Sequence, residues 1–323
     1  MSVLLIDLLQ RVPNEVEERV RAARDRSRVV LRDAIRAECR LSMKTDAEDA
    51  GASAQVQIEV AAGYPDVLQG VSFPEELRHI LLLTRYRRSL TQAASGTAGL
   101  LELHAALQRL PNGAEWAHLD AAAISATRDW TMEMLHRLEA HDPVGKVLMV
   151  DEDIMGAYIY RTDIQDEFAT NNARIALYWC VIGLVSDWLG CSVEDLTVVV
   201  LAHELAHAYT QLGADIEGRR WPSYHFGKAE TALKEGLAQF YTMRALQRLH
   251  VRFPGAIATF ETLLAKQPAA YHAHEPWVDQ FSPEAVRQAM LEVRRWREGT
   301  LEQFSDRLAR AGVQLKPLKD SLF

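Results

Sequence analysis

Cysteine is scarce in this sequence and long apolar runs are missing, and each shortage narrows what the chain can be. Cys39, Cys180 and Cys191 are odd in number, widely spaced and free of any CxxC pair. Neither a disulfide framework nor a thiolate metal site is indicated, and a reducing, cytoplasmic setting is expected. The longest apolar runs, such as Leu196 to Ala202, fall far short of the roughly 20 residues a bilayer-spanning helix needs. No membrane partner is therefore expected. The apolar N-terminal stretch is broken by Asp7 and lacks both a basic leader and a small-residue cleavage site, so it does not read as a signal peptide. Basic blocks are absent too: Lys and Arg are scattered among Asp and Glu, and the formal net charge is −8. That balance argues against nucleic acid as a partner.

What remains is an ordinary globular mixture of 323 residues, 48% hydrophobic and 25% charged, enough for one large domain or two modest ones. From Asn14 to about Arg40, Val16, Val20, Ala23, Val30, Ala34 and Ile35 recur near helical spacing and predict an amphipathic helix. The small polar stretch Asp46 to Ala54 reads as a linker. Ser72 and Pro74 predict the start of another helix, with Leu77, Ile80, Leu81 and Leu83 on its apolar side. Helical pattern continues through Leu100 to Leu110 and stops at Pro111-Asn112-Gly113, and a further helix is expected from about Leu119 to Ala140. Between Val144 and Ile164, two β-favouring runs flank an acidic, Gly-containing turn and predict a hairpin. Arg174 to Trp179 fits either a strand or the beginning of a buried helix reaching Leu189, and Tyr178 and Trp179 read as core. Ser192 with Asp195 opens a helix expected to run to Leu212 and end at Gly213, and another follows from about Ala229 to Leu249.

The chemistry lies in the first of these two helices. Val200 to Tyr209 contains His203-Glu204-Leu205-Ala206-His207. Residues four apart share one helix face about 6 Å apart along the axis, so both imidazoles can reach one ion. Glu204 points about a quarter-turn aside, where its carboxylate can meet a water rather than the ion. Zinc is the expected cofactor, since it lowers the pKa of a bound water to about 7 and polarises a carbonyl. With Val200 and Leu201 before the motif, uncharged residues within it, and Ala208 and Tyr209 after it, the segment resembles the extended signature of the zincin metallopeptidases. The resemblance spans the motif helix and, more loosely, the next helix, roughly 60 residues by generous boundaries.

A two-histidine zinc site needs another protein ligand. Thr210 and Gly213 stand where metzincins carry their Gly and third ligand, which disfavours that branch. Leu233 to Tyr241 instead resembles the Glu-Gly-x-Ala ligand helix of gluzincins, which implies Glu235 as the third ligand, with Glu230 and Glu217 as rivals. Small or uncharged Gly236, Ala238, Gln239 and Thr242 would let this helix approach the motif helix. Ala238 and Gln239 replace the acidic residue many gluzincins carry there, and Gln239 could accept a ligand-histidine N–H. A donor for the developing oxyanion is expected as well. Tyr224 and His225 are placed first by their position between the two helices, ahead of Tyr271, His272 and His274. His79, His104, His118, His136, His141 and His250 have no partner at ligand spacing.

These readings predict an α+β, mostly helical zincin-like module with a small sheet over residues 142–323, preceded by a helical region over residues 1–141 that restricts access to the site. The expected reaction is hydrolysis of a peptide bond in a peptide or protein substrate, with Glu204 as general base. The alternative is a zinc-binding regulatory or protein-binding module with a closed site, and a non-peptide amide is a further possible substrate. Nothing in the sequence sets an oligomeric state.

Overall fold

The computed structural model describes residues 2–43, 56–110, 120–141, 143–149, 153–160 and 173–314. The first amphipathic pattern forms α2 (Glu15–Cys39), after β1 (Ser2–Leu4) and α1 (Leu5–Leu9). Its first turn carries Glu15, Glu17 and Glu18, which suit the positive end of the helix dipole. Val16, Val20, Ala23, Leu31, Ala34, Ile35 and Cys39 make its buried stripe, and Arg40 ends it in the left-handed region at φ 52. β2 (Gln57–Ala61) follows, whereas the linker expected at Asp46 to Ala54 lies outside the described residues.

Helical structure resumes directly after Pro74, as a 3-10 turn over Glu75–Leu77 that leads into the next helix, but Ser72 and Pro74 do not themselves join or cap it. They lie in β3 (Ser72–Pro74), which pairs antiparallel with β1 and sets Phe73 opposite Val3. Pairing across the chain wins over a local cap signal, and α-helix begins only at α3 (Arg78–Leu83). Next come α4 (Arg87–Leu107) and α5 (Ala121–Ala140), which pack on each other. Asp120 caps α5 by accepting the amide N–H groups of Ala122 and Ala123. The stop expected at Pro111-Asn112-Gly113 falls outside the described residues.

The expected hairpin is not formed either. Its first run is α6 (Pro143–Leu148), because Val144, Val147 and Leu148 bury a face at helical spacing. Only the second run is extended, as β4 (Gly156–Ile159), and its partner is β5 (Arg174–Tyr178). The run after Arg174 is both things the sequence allowed: strand to Tyr178, then α7 (Trp179–Leu189), which stops at Gly190 with φ 71.

Ser192 fixes the start of α8 (Val193–Leu212), its hydroxyl accepting the Asp195 N–H at 3.0 Å. The helix ends at Gly213, which is not left-handed (φ −66). Glycine is needed there for space, since a Cβ would stand 2.5 Å from the Tyr209 carbonyl oxygen and 2.6 Å from Leu41 Cβ. The remaining helices are α9 (Ser223–Lys228), α10 (Thr231–Arg248), α11 (Ala256–Leu264), α12 (Glu275–Gln280), α13 (Pro283–Val293) and α14 (Leu301–Gln314).

The chain is mostly helical around a small sheet ordered β2-β5-β4. β2 runs parallel to β5 and β4 antiparallel, so Ala176 sits between Glu59 and Ala157. One strand neighbour of β5 precedes residue 142 and the other follows it. Residues from both sides of that point also join one buried cluster, in which α2 packs on α8. α8 is buried from Leu196 to Leu212 and touches α2, α7, α10, α11, β4 and β5, which explains why that span has no solvent-exposed face. Among the described residues, no helix is long and apolar enough to cross a membrane.

Candidate metal centre

His203 and His207 project from one side of α8, with their Nε2 atoms 3.1 Å apart. α10 brings Glu235 to the same point: its Oε2 lies 3.2 Å from His203 Nε2 and 3.4 Å from His207 Nε2. A fourth group enters just before β4. Asp153 places Oδ1 3.8 Å from His203 Nε2 and Oδ2 3.8 Å from His207 Nε2. Tyr271 holds that carboxylate, donating its hydroxyl to Oδ1 at 2.6 Å, and its ring stacks on His203 at 5.8 Å. One ligand atom from each of Asp153, His203, His207 and Glu235 lies within 4.8 Å of all the others.

These spacings fit a divalent metal ion. Four nitrogen and oxygen donors in a tetrahedron around zinc at ordinary bond lengths are about 3.3 to 3.5 Å apart, and the separations of 3.1 to 3.8 Å from the two histidines bracket that value. The charge balance points the same way, since Asp153, Glu204 and Glu235 surround two imidazoles. Burial and the charge of Glu235 push the Asp153 carboxyl up, and burial and the charge of Asp153 push Glu204 well up. Burial opposes a charged His203, yet its hydrogen bond with Glu235 and the charges of Asp153 and Glu204 raise it to about 9. Burial also opposes a charged Glu235, and the two histidines still hold it below the usual carboxylate range. A bound cation would relieve the excess negative charge.

Glu204 stands beside this cluster rather than in it. It is 1% exposed, and its Oε2 is buried with no hydrogen-bond partner. Gly156 makes its space: a Cβ there would lie 2.7 Å from Val200 Cγ1 and 2.8 Å from Glu204 Oε1. Gly156→Ala should therefore displace the Glu204 side chain, costing about 1–3 kcal/mol of stability by overpacking. Denaturant unfolding checks this, and a variant as stable as the parent would mean the strand shifts freely. The pocket over the site is lined by Asp153, His203, Glu204 and Tyr271, with Leu148, Ile154, Met155, Val199 and Leu263 as apolar walls. Gln239 also lines it and its amide N–H donates to Gln267 Oε1 at 2.9 Å, but among the described residues its oxygen accepts no N–H from His203 or His207.

The other residues singled out by sequence are elsewhere. Glu230 accepts the Leu301 N–H at 2.7 Å, and Glu217 pairs with Arg219. Tyr224 lies under Arg297, and His225 lines a separate cavity, so neither is brought to the cluster. Gly236 makes room for Trp277, 2.6 Å from where its Cβ would be, rather than for α8. His272 pairs with Glu275, and His274 donates from Nδ1 to the Tyr271 carbonyl, which leaves Tyr271 as the member of its group at the site. His104 and His250 contact residues of their own turns. His118 and the side chain of His79 lie outside the described residues. Asp153 carried no spacing signal, because it sits in an acidic run read as a turn.

No protein-family model, curated protein or solved structure matches the chain.

Proposed function

We propose that the chain is a zinc-dependent hydrolase of peptide bonds, with His203, His207 and Glu235 holding the ion and Glu204 serving as general base. The observation that supports this reading most is the position of Glu204: a buried carboxylate with an unpartnered oxygen, one residue from a ligand histidine and facing the same pocket. Zinc, when bound, supplies a Lewis acid and brings the pKa of a water down to about 7. Glu204 takes a proton from water and returns it to the leaving amine. Tyr271 lines the site where Tyr224 and His225 do not, and its hydroxyl, donated to Asp153 Oδ1, holds that carboxylate in place. β4 is an edge strand that begins against Glu204, and among the described residues it is paired on one side only. An extended substrate can add along that edge, which would bring a backbone carbonyl over the pocket.

Asp153 supports a second reading. Four protein donors close a zinc site, as in structural centres, whereas catalytic centres keep one position for water. On that reading the chain is a zinc-binding regulatory or protein-binding module. Elemental analysis and digestion of a peptide library separate the two. About one zinc per chain is expected, lost in His203→Ala, weakened at least tenfold in Glu235→Ala and kept in Glu230→Ala. Cleavage by the zinc-loaded parent supports the hydrolase. Full zinc with no cleavage supports the closed module, and full zinc in His203→Ala sinks both.

A further inference from the structure

A second cavity lies where α8 ends, lined by Asp215, Glu217, Arg219, Arg220, His225, Arg294 and Arg295. Its lining carries four arginines against two carboxylates, a surplus of two positive charges. Arg219 and Glu217 pair with each other, and Asp215 Oδ1 accepts the amide N–H groups of Glu217 and Arg219. Arg220, Arg294 and Arg295 make no ion pair among the described residues.

Arg294 is the unusual one, at 3% exposure. Its Nη2 donates to the Gly213 carbonyl at 2.5 Å and reaches the Gln211 and Arg219 carbonyls at 3.4 Å, which caps the C-terminal end of α8. Those carbonyls carry no net charge. Its Nε and Nη1 are buried without a partner, and so is Nδ1 of His225, which also lines the cavity. Burial pushes the guanidinium down to about 10, although the charge of Asp215 opposes this. A buried guanidinium with open N–H groups loses stability unless an acceptor of opposite charge reaches it.

We propose that this cavity binds a phosphate group, received by Arg220, Arg294 and Arg295 with His225 as a further donor. Guanidinium forks match the oxygens of phosphate, whose charge near −2 equals the local surplus. The site does not depend on the hydrolytic reading, since none of these side chains lines the metal pocket.

The test titrates inorganic phosphate into the 323-residue chain by calorimetry at constant ionic strength, with glycerol 3-phosphate and succinate as parallel probes. Saturable phosphate binding with a Kd on the order of millimolar or tighter is expected. The double variant Arg220→Gln, Arg295→Gln leaves the α8 cap intact and should bind at least tenfold more weakly. Tighter binding of glycerol 3-phosphate would identify a phosphate ester as the source, and tighter inorganic phosphate the free ion; either result supports the site. No saturable binding, undiminished binding by the double variant, or succinate binding equal to phosphate would each overturn it.

Discussion

Deleting residues 1–141 will leave a chain that does not fold. The deletion removes α2, whose Val16, Val20, Ala23, Leu31, Ala34, Ile35 and Cys39 are buried, and with it the surface that covers one side of α8. It also removes β2, exposing the edge of β5 beside Ile175 and Leu177, both 0% exposed. Fully burying a large aliphatic side chain contributes about 1.5–3 kcal/mol. The larger residues of this stripe together therefore approach or exceed the whole net stability of a typical protein, about 5–15 kcal/mol. Circular dichroism and thermal unfolding should show no cooperative transition in the truncated chain. A truncated form that melts cooperatively would mean the C-terminal part holds its own core, and would support the idea that the N-terminal helices only gate the site.

Glu204→Gln should keep the fold and the bound zinc while hydrolysis falls by about 10²–10⁴-fold, the usual worth of a positioned general base. The amide has nearly the shape of the carboxylate, so the tight fit against Gly156 and Val200 is preserved. Basicity is what disappears. Rates on a peptide cleaved by the parent, measured alongside zinc content, check this. A variant that cleaves at the parent rate would remove Glu204 from the chemistry.

The parts of the architecture that could be read ahead of the structure are those governed by local rules. The bounds of α8 followed from the Ser192 cap, and the convergence of His203 and His207 followed from helical periodicity. Glu235 came from a resemblance in the next helix, and the structure sets it against both histidines. Elements fixed by distant pairing were not legible. Ser72–Pro74 reads as a helix start because nothing nearby reveals that β1 is its partner. The run at Val144 has β-favouring residues, and burial at every third or fourth position makes it a helix. Asp153 and Tyr271 reach the site from segments more than 100 residues apart, joined by one hydrogen bond that no sequence spacing encodes.

The packing of α2 on α8 also sets an order of events during synthesis. α2 ends at Cys39 and α8 begins at Val193, so at ordinary translation rates the first helix waits roughly 8–30 s on the ribosome for its partner. Throughout that interval its apolar stripe has no native cover, and β2 likewise waits for β5. The nascent chain thus presents sticky surface while some 154 further residues are added, and a chaperone that shields the stretch around Val20 to Ile35 would raise the yield of folded protein more than one acting after release.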